Sequence, residues 1–286
     1  MSSQVQEMTD ASVRNASTLS SGQLDSIGIR LRDSLRNDSL TPSEAVRDVF
    51  LWAVEEYPTA NVTDIWHYGL YRQYLSFNGG GNSATQSWRN VSGTAFEKFV
   101  VSYYNERLPR FLRIEHTADA PEVQDKLEAL AEGTDIGTSD IADAVLLGRM
   151  NGDWHLFGGV HTMTSFKGRI DSEAEKSRIF RDAGLFSPVV TLDAMSLDSS
   201  PELVGEVHSA ERRSKPARMV EDEGAFTNMY SFNERTAETP ADMDAEYDVK
   251  RVAHESRLTD SFTFDVVGVW EYFVTPLDRV RTLRVE

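Results

Sequence analysis

Asp143 is the residue from which chemistry is read first. It opens the apolar run Ala144-Val145-Leu146-Leu147-Gly148, and Asn151-Gly152 separates this run from a second that starts at Trp154. The second run ends in the polar segment His161-Thr162-Met163-Thr164-Ser165-Phe166-Lys167-Gly168-Arg169. Asn-Gly between two apolar runs predicts a hairpin, because both central positions of a type I′ turn require positive φ. The hairpin sets the Asp143 strand beside the polar segment. A carboxylate and a polar cluster on neighbouring strands have the layout of a metal-dependent nuclease, in which the acid holds a hard cation.

The elements that must position these residues follow from capping and periodicity. The first 20 or so residues are polar. Leu24 to Leu35 carries apolar residues at helical spacing. Thr41-Pro42-Ser43-Glu44 reads as a helix start, with a capping Thr, Pro at the first helical position and Glu three after the cap. That helix is predicted to run to about Tyr57, and another from about Thr63 to Tyr74. Gly79-Gly80-Gly81 reads as a hinge, so residues 1–78 form an N-terminal helical module and residues 79–286 the catalytic domain. A long helix is predicted over Ser83 to Glu106, with Glu97 beside its apolar stripe; a glutamate there, preceding the Asp143 strand, is a candidate to point at a metal. Strands are expected at Phe111 to Glu115, Pro188 to Met195, Ala225 to Phe232 and Phe262 to Phe273. Short helices are expected at Pro121 to Glu132 and Asp171 to Ala183. The order predicts an α/β protein.

Composition narrows the function. The chain has 286 residues, 40% of them hydrophobic, no cysteine and a net charge of −17. Without cysteine there is neither a disulfide nor a thiolate zinc site. No apolar run is long enough to span a membrane, and the N-terminus lacks the pattern of a signal peptide, so a cytoplasmic location is expected. The six histidines show no metal-binding pair on one helix, Gly79 to Gly81 lacks the Lys and Ser/Thr of a phosphate-binding loop, and no nucleophile elbow is present. Acidic residues are abundant, whereas Lys98, Lys126, Lys167, Lys176, Lys215 and Lys250 are the only lysines. That balance suits a halophilic protein, with an acidic shell for solubility and long-range fields screened by salt. DNA is then held by local arginines, and the basic stretch His208 to Arg218 supplies Arg212 and Arg213.

With these residues laid out, the chain resembles the type II restriction endonucleases that cut CCGG-containing sites, within the PD-(D/E)XK nuclease superfamily, and in particular the BsaWI-like group. The resemblance runs from about Ser87 to Pro240. It rests on Ser87-Trp88, Gly93 through Glu97, the Asp143 strand, Gly159-Val160-His161, Thr164-Ser165-Phe166, Arg169-Ile170, Ala183-Gly184-Leu185, Thr191-Leu192-Asp193-Ala194, and Tyr230-Ser231-Phe232-Asn233 with Arg235-Thr236.

The resemblance implies a mixed central sheet flanked by helices and a Mg²⁺-dependent hydrolysis of phosphodiester bonds in double-stranded DNA. It also implies a homodimer or higher homo-oligomer, since a two-fold DNA site calls for a two-fold protein. Asp143 matches the strand acid, with Asp140 as the fallback, although Ala142 stands where the family pattern has Pro. Glu173, with Glu175 as its neighbour, matches the second carboxylate from the following helix, and Asp143 with Glu173 is the implied metal pair. Glu97 is the supporting acid. Met163 occupies the place of the family's catalytic lysine, and Lys167 is the nearest replacement. Four residues of strand cover about 13 Å, so Lys167 reaches that place only if the chain bends at Ser165. Lys167 and Arg169 flank Gly168 where the CCGG enzymes carry a basic-acidic-basic base-reading element, and Arg169 suits guanine O6 and N7. Two further readings stay open: a DNA-binding relative impaired in cleavage by Met163, and an acidic α/β protein with no nucleic-acid role.

Overall fold

The computed structural model describes residues 18–194, 205–207, 213–252 and 260–275. The N-terminal part is helical: α1 (Ser21–Leu35), α2 (Pro42–Glu56) and α3 over residues 62–77. The capping box at Thr41 forms as its sequence dictates, with the Thr41 N–H donating to Glu44 Oε2 at 2.9 Å and the Glu44 N–H to Thr41 Oγ1 at 3.3 Å. In α3 the middle stretch, Ile65–Tyr71, is π-helical. The long helix α4 (Gly81–Asn105) follows. Gly79, Gly80 and Gly81 all take positive φ, which lets the chain reverse between α3 and α4.

A six-stranded mixed sheet forms the centre, ordered β1 (Leu112–His116), β2 (Ala144–Met150), β3 (Asp153–Met163), β4 (Val189–Thr191), β5 (Met229–Ser231) and β6 (Val249–Arg251). β1, β2 and β3 pair antiparallel, and β3 through β6 pair parallel. The predicted hairpin is present, with Asn151 at φ 56° and Gly152 at φ 101°. Between the strands lie α5 (Gln124–Ala131), α6 (Ile170–Asp182) and α7 (Lys215–Glu221), and α8 (Ser261–Val274) follows β6.

α8 corrects the strand expected at Phe262 to Phe273. Its aromatic and β-branched residues carry high strand propensity, but Asp260 caps it, accepting from the N–H groups of Phe262 and Thr263 at 3.0 and 3.1 Å. Phe262, Val266 and Trp270 then recur every fourth residue and bury one face. The strands expected at Pro188 to Met195 and Ala225 to Phe232 are shorter than the runs that suggested them. β6 was hidden in polar sequence after an acidic loop.

Helix and sheet share one core. Phe50 of α2, Trp66 of α3 and Phe96 and Phe99 of α4 belong to the same apolar cluster as Val160, Val190, Phe232 and Trp270. Buried polar contacts cross the same seam. Asn61 Nδ2 donates to Asn233 Oδ1 at 3.0 Å, and Arg235 grips Asp64 with two bonds of 2.8 and 3.0 Å. On the other face of the sheet α6 lies close over β3. A side chain on Gly159 would meet the Phe180 ring at 2.5 Å, so glycine there sets how near α6 can come.

Candidate active site

Asp143 immediately precedes β2, and its backbone is tied on both sides. Its N–H donates to Val160 O at 3.1 Å, and its carbonyl accepts from the Thr117 N–H at 3.3 Å. The carboxylate reaches across to β3, where Oδ2 accepts from the Thr162 N–H at 2.5 Å and from the Thr162 hydroxyl at 3.0 Å. The hairpin therefore does what its sequence implied: it sets Asp143 against the polar end of β3.

The acid opens on a cleft of about 370 Å³. Glu97 and Lys98 of α4, His116 at the end of β1, Asp140 and Lys176 share its lining. Glu97 is half-buried and makes no hydrogen bond or ion pair among the described residues. Burial, and next the charge of Asp143, push its carboxyl up to about 7; Glu173 adds to the rise while Arg169 and Lys176 oppose it. A carboxyl raised by burial together with a neighbouring acid in a cleft is a candidate functional group. Burial lowers the pKa of His116 in the same cleft.

Glu173 lies in the first turn of α6 and is almost fully buried. Its Oε1 receives Lys176 Nζ at 3.1 Å and an Arg169 guanidinium nitrogen at 3.3 Å, while Oε2 lies 3.4 Å from His161 Nδ1. Burial pushes Glu173 up, but the contacts with His161 and Lys176 outweigh it and hold the carboxylate at about 2. Thr162 fixes Asp143 and His161 meets Glu173, and these neighbouring side chains leave β3 on opposite faces. Glu97 senses both acids, and Lys176, bonded to Glu173, lines the cleft with Asp143. Among the described residues no three His, Asp or Glu side chains gather closely enough to hold a metal ion by themselves.

The other expected site residues fall as follows. β3 ends at Met163, which is wholly buried in an apolar cluster with Phe166, Ile170, Ala174 and Val189 and does not face the cleft. The chain bends after it, so the condition set for Lys167 is met in part. Yet Lys167 stands exposed in a turn and is not among the cleft's lining residues. Arg169, in the same turn, remains 44% exposed at its side chain and is paired with Glu173. Arg213 is held within its own segment by Glu221 and Asp222, at 2.5 and 2.8 Å. Arg212 lies outside the described residues. Sequence reasoning missed Lys176. A lysine three residues after a glutamate on a polar helix reads as a solvated pair, and only the burial of Glu173 removes that reading.

The mixed six-stranded sheet flanked by helices has the PD-(D/E)XK-type nuclease fold, as comparison with known proteins shows. No family model matches the chain. It is 31% identical over 222 residues to the type II restriction enzyme AgeI of Thalassovita gelatinovora, covering 71% of this chain and 75% of that protein. The crystal structure of the specific AgeI–DNA complex superposes with a TM-score of 0.78 at 26% identity, over 88% of this chain and 92% of the other. The pre-specific BsaWI–DNA complex gives a TM-score of 0.45 at 17% identity, over 88% and 93%. The chain belongs to the type II restriction endonucleases, in the family that contains AgeI. Among the described residues no helix is long and apolar enough to cross a membrane.

Proposed function

We propose that the protein is a Mg²⁺-dependent endonuclease that hydrolyses phosphodiester bonds in double-stranded DNA at a specific, CCGG-containing site, acting as a homodimer. The observation that carries this reading is the convergence of Asp143, Glu97 and Lys176 on one open cleft at the end of β3, with Glu173 bonded to that lysine.

The donor set fits a hard cation. Asp143, with Glu97 beside it in the cleft, would hold it; Glu173, which the resemblance pairs with Asp143, lies on the His161 side of β3 and reaches the cleft through Lys176. Both cleft acids offer carboxylate oxygen, and Mg²⁺ is commonly bound through one or two carboxylates, with water and substrate phosphate filling the other positions. Burial raises Glu97 first and the charge of Asp143 second, and a divalent ion would relieve the second of these. When bound, such a cation lowers the pKa of a coordinated water and neutralises charge on the scissile phosphate.

The chain's own residues do the positioning. Thr162 fixes the orientation of Asp143 through two bonds to one oxygen. His161 and Lys176 keep Glu173 ionised inside a buried setting, and Arg169 adds a contact at 3.3 Å. Arg169 stands beside the acids with its side chain partly open to solvent, and contacts DNA bases or phosphates from there. Lys167, exposed in the turn before α6, contributes phosphate contacts, and the net charge of −17 adapts the molecule to concentrated salt, where screening removes the long-range repulsion of DNA.

Digestion of a mixed-sequence plasmid in Mg²⁺ across low to molar salt tests the proposal. Discrete fragments whose ends map to CCGG-containing sites are expected. Bound but uncut DNA favours the reading as an impaired relative, to which the burial of Met163 lends its weight. Absence of any DNA binding overturns the nucleic-acid reading.

A further inference from the structure

We infer that Lys176, on helix α6, is the lysine that contacts the scissile phosphate during cleavage, in place of a strand lysine at position 163. The inference rests on the nuclease reading above and names a residue for it.

All six lysines of the chain lie within the described residues, so they can be taken in turn. Lys98 lines the cleft, but its ammonium is directed to Glu44 at 3.2 Å. Lys215 pairs with Asp171 at 2.6 Å and Lys250 with Asp265 at 2.7 Å. Lys126 is exposed on α5 and Lys167 is exposed in the turn before α6, and neither lines the cleft. Lys176 alone both lines the cleft with Asp143 and Glu97 and bonds a buried acid of the site, Glu173, at 3.1 Å. Its side chain is 23% exposed, so the ammonium is tethered yet open to a ligand. Position 163 cannot serve, because Met163 is wholly buried among apolar side chains.

The chemistry follows from geometry. An ammonium carries three donors. One engages Glu173, and the other two are free in number to meet a non-bridging phosphate oxygen and the attacking water. In the step, the water oxygen forms a bond to phosphorus and one P–O ester bond breaks. The proton of the attacking water passes to solvent, and the leaving oxygen takes a proton from solvent. One water is consumed, and a phosphomonoester and a hydroxyl end are produced. Lys176 lowers the barrier by facing the negative charge on the phosphoryl oxygens with a donor that is already oriented.

The test uses the full-length protein. Lys176→Met should slow single-turnover cleavage in Mg²⁺ by about a hundredfold or more, with DNA affinity in Ca²⁺ within about threefold of wild type, and Lys176→Arg should recover part of the rate. Independently of activity, Lys176 in the wild-type protein should be protected from an amine-acetylating reagent, read by mass spectrometry, when cleavable DNA is bound in Ca²⁺. Lys126 serves as the unprotected control. If Lys176→Met fails to fold, Lys176→Arg and the protection experiment decide. Cleavage by Lys176→Met at close to the wild-type rate, or equal acetylation of Lys176 with and without DNA, overturns the assignment while the nuclease reading stands. Wild-type protein that cuts no DNA overturns both.

Discussion

Oδ2 of Asp143 accepts two hydrogen bonds from one residue of the neighbouring strand, the Thr162 amide at 2.5 Å and the Thr162 hydroxyl at 3.0 Å. The carboxylate is thereby aimed by the strand that carries the polar segment. Thr162→Val keeps the amide bond and the shape but removes the hydroxyl, which donates to a charged acceptor. Such a bond contributes about 1.5–3 kcal/mol. We expect a tenfold or larger fall in single-turnover cleavage with little change in DNA affinity, read by rapid-quench kinetics and filter binding.

Met163→Lys tests the site from the opposite direction. A lysine at the family's usual position would have to place its ammonium among Phe166, Ile170, Ala174 and Val189. We expect a loss of stability of about 2 kcal/mol or more and no gain in cleavage. A folded, faster enzyme would show that position 163 reaches the cleft after all.

The helical part of the core also contains a pH-sensitive group. Burial, and then the charge of Arg72, push His67 down from 6.5 to about 4, with Asp64 opposing. The folded chain therefore binds fewer protons at His67 than the unfolded chain between those values. The stability this gives is fully present above pH 6.5 and is lost as pH falls toward 4. Denaturant titrations from pH 7 to 5 should show stability falling, and His67→Gln should flatten that slope.

Asp64 is fully buried and meets Arg235 through a two-bond pair that ties α3 to the segment after β5. Removing Arg235 takes the only cation from a buried carboxylate that, among the described residues, keeps just its two bonds from Thr18, and such a change costs about 3–5 kcal/mol. Arg235→Ala should lower stability by that amount. The double variant Asp64→Leu with Arg235→Met should cost clearly less, as measured by thermal and denaturant unfolding.

The parts of this fold that were legible in the sequence are those where a local interaction decides the conformation. Asn151-Gly152 can satisfy a turn with two positive φ values, and Thr41 with Glu44 closes a capping box without help from the rest of the chain. The run from Phe262 was misread because its residues favour strands, and one polar group, Asp260, reverses that preference. The same distinction governs the site. Asp143 was legible through its place in the hairpin. Lys176 was not, because its partner Glu173 becomes special only when tertiary packing buries it against His161. Nor could local sequence reveal that Lys167 turns to solvent, since that depends on the bend after Met163 and on Glu206, whose Oε1 accepts from the N–H groups of Phe166 and Lys167.

The central claim is that Asp143, placed by the hairpin, is indispensable for metal-assisted DNA hydrolysis at this cleft. The most direct measurement compares wild type and Asp143→Asn in single-turnover cleavage of a plasmid in Mg²⁺, with DNA binding followed in Ca²⁺. We expect discrete cleavage by the wild type, its disappearance in EDTA, and a loss of at least about a hundredfold in the variant with binding retained. Equal cleavage by Asp143→Asn, or wild-type cleavage that persists in EDTA, would contradict the account.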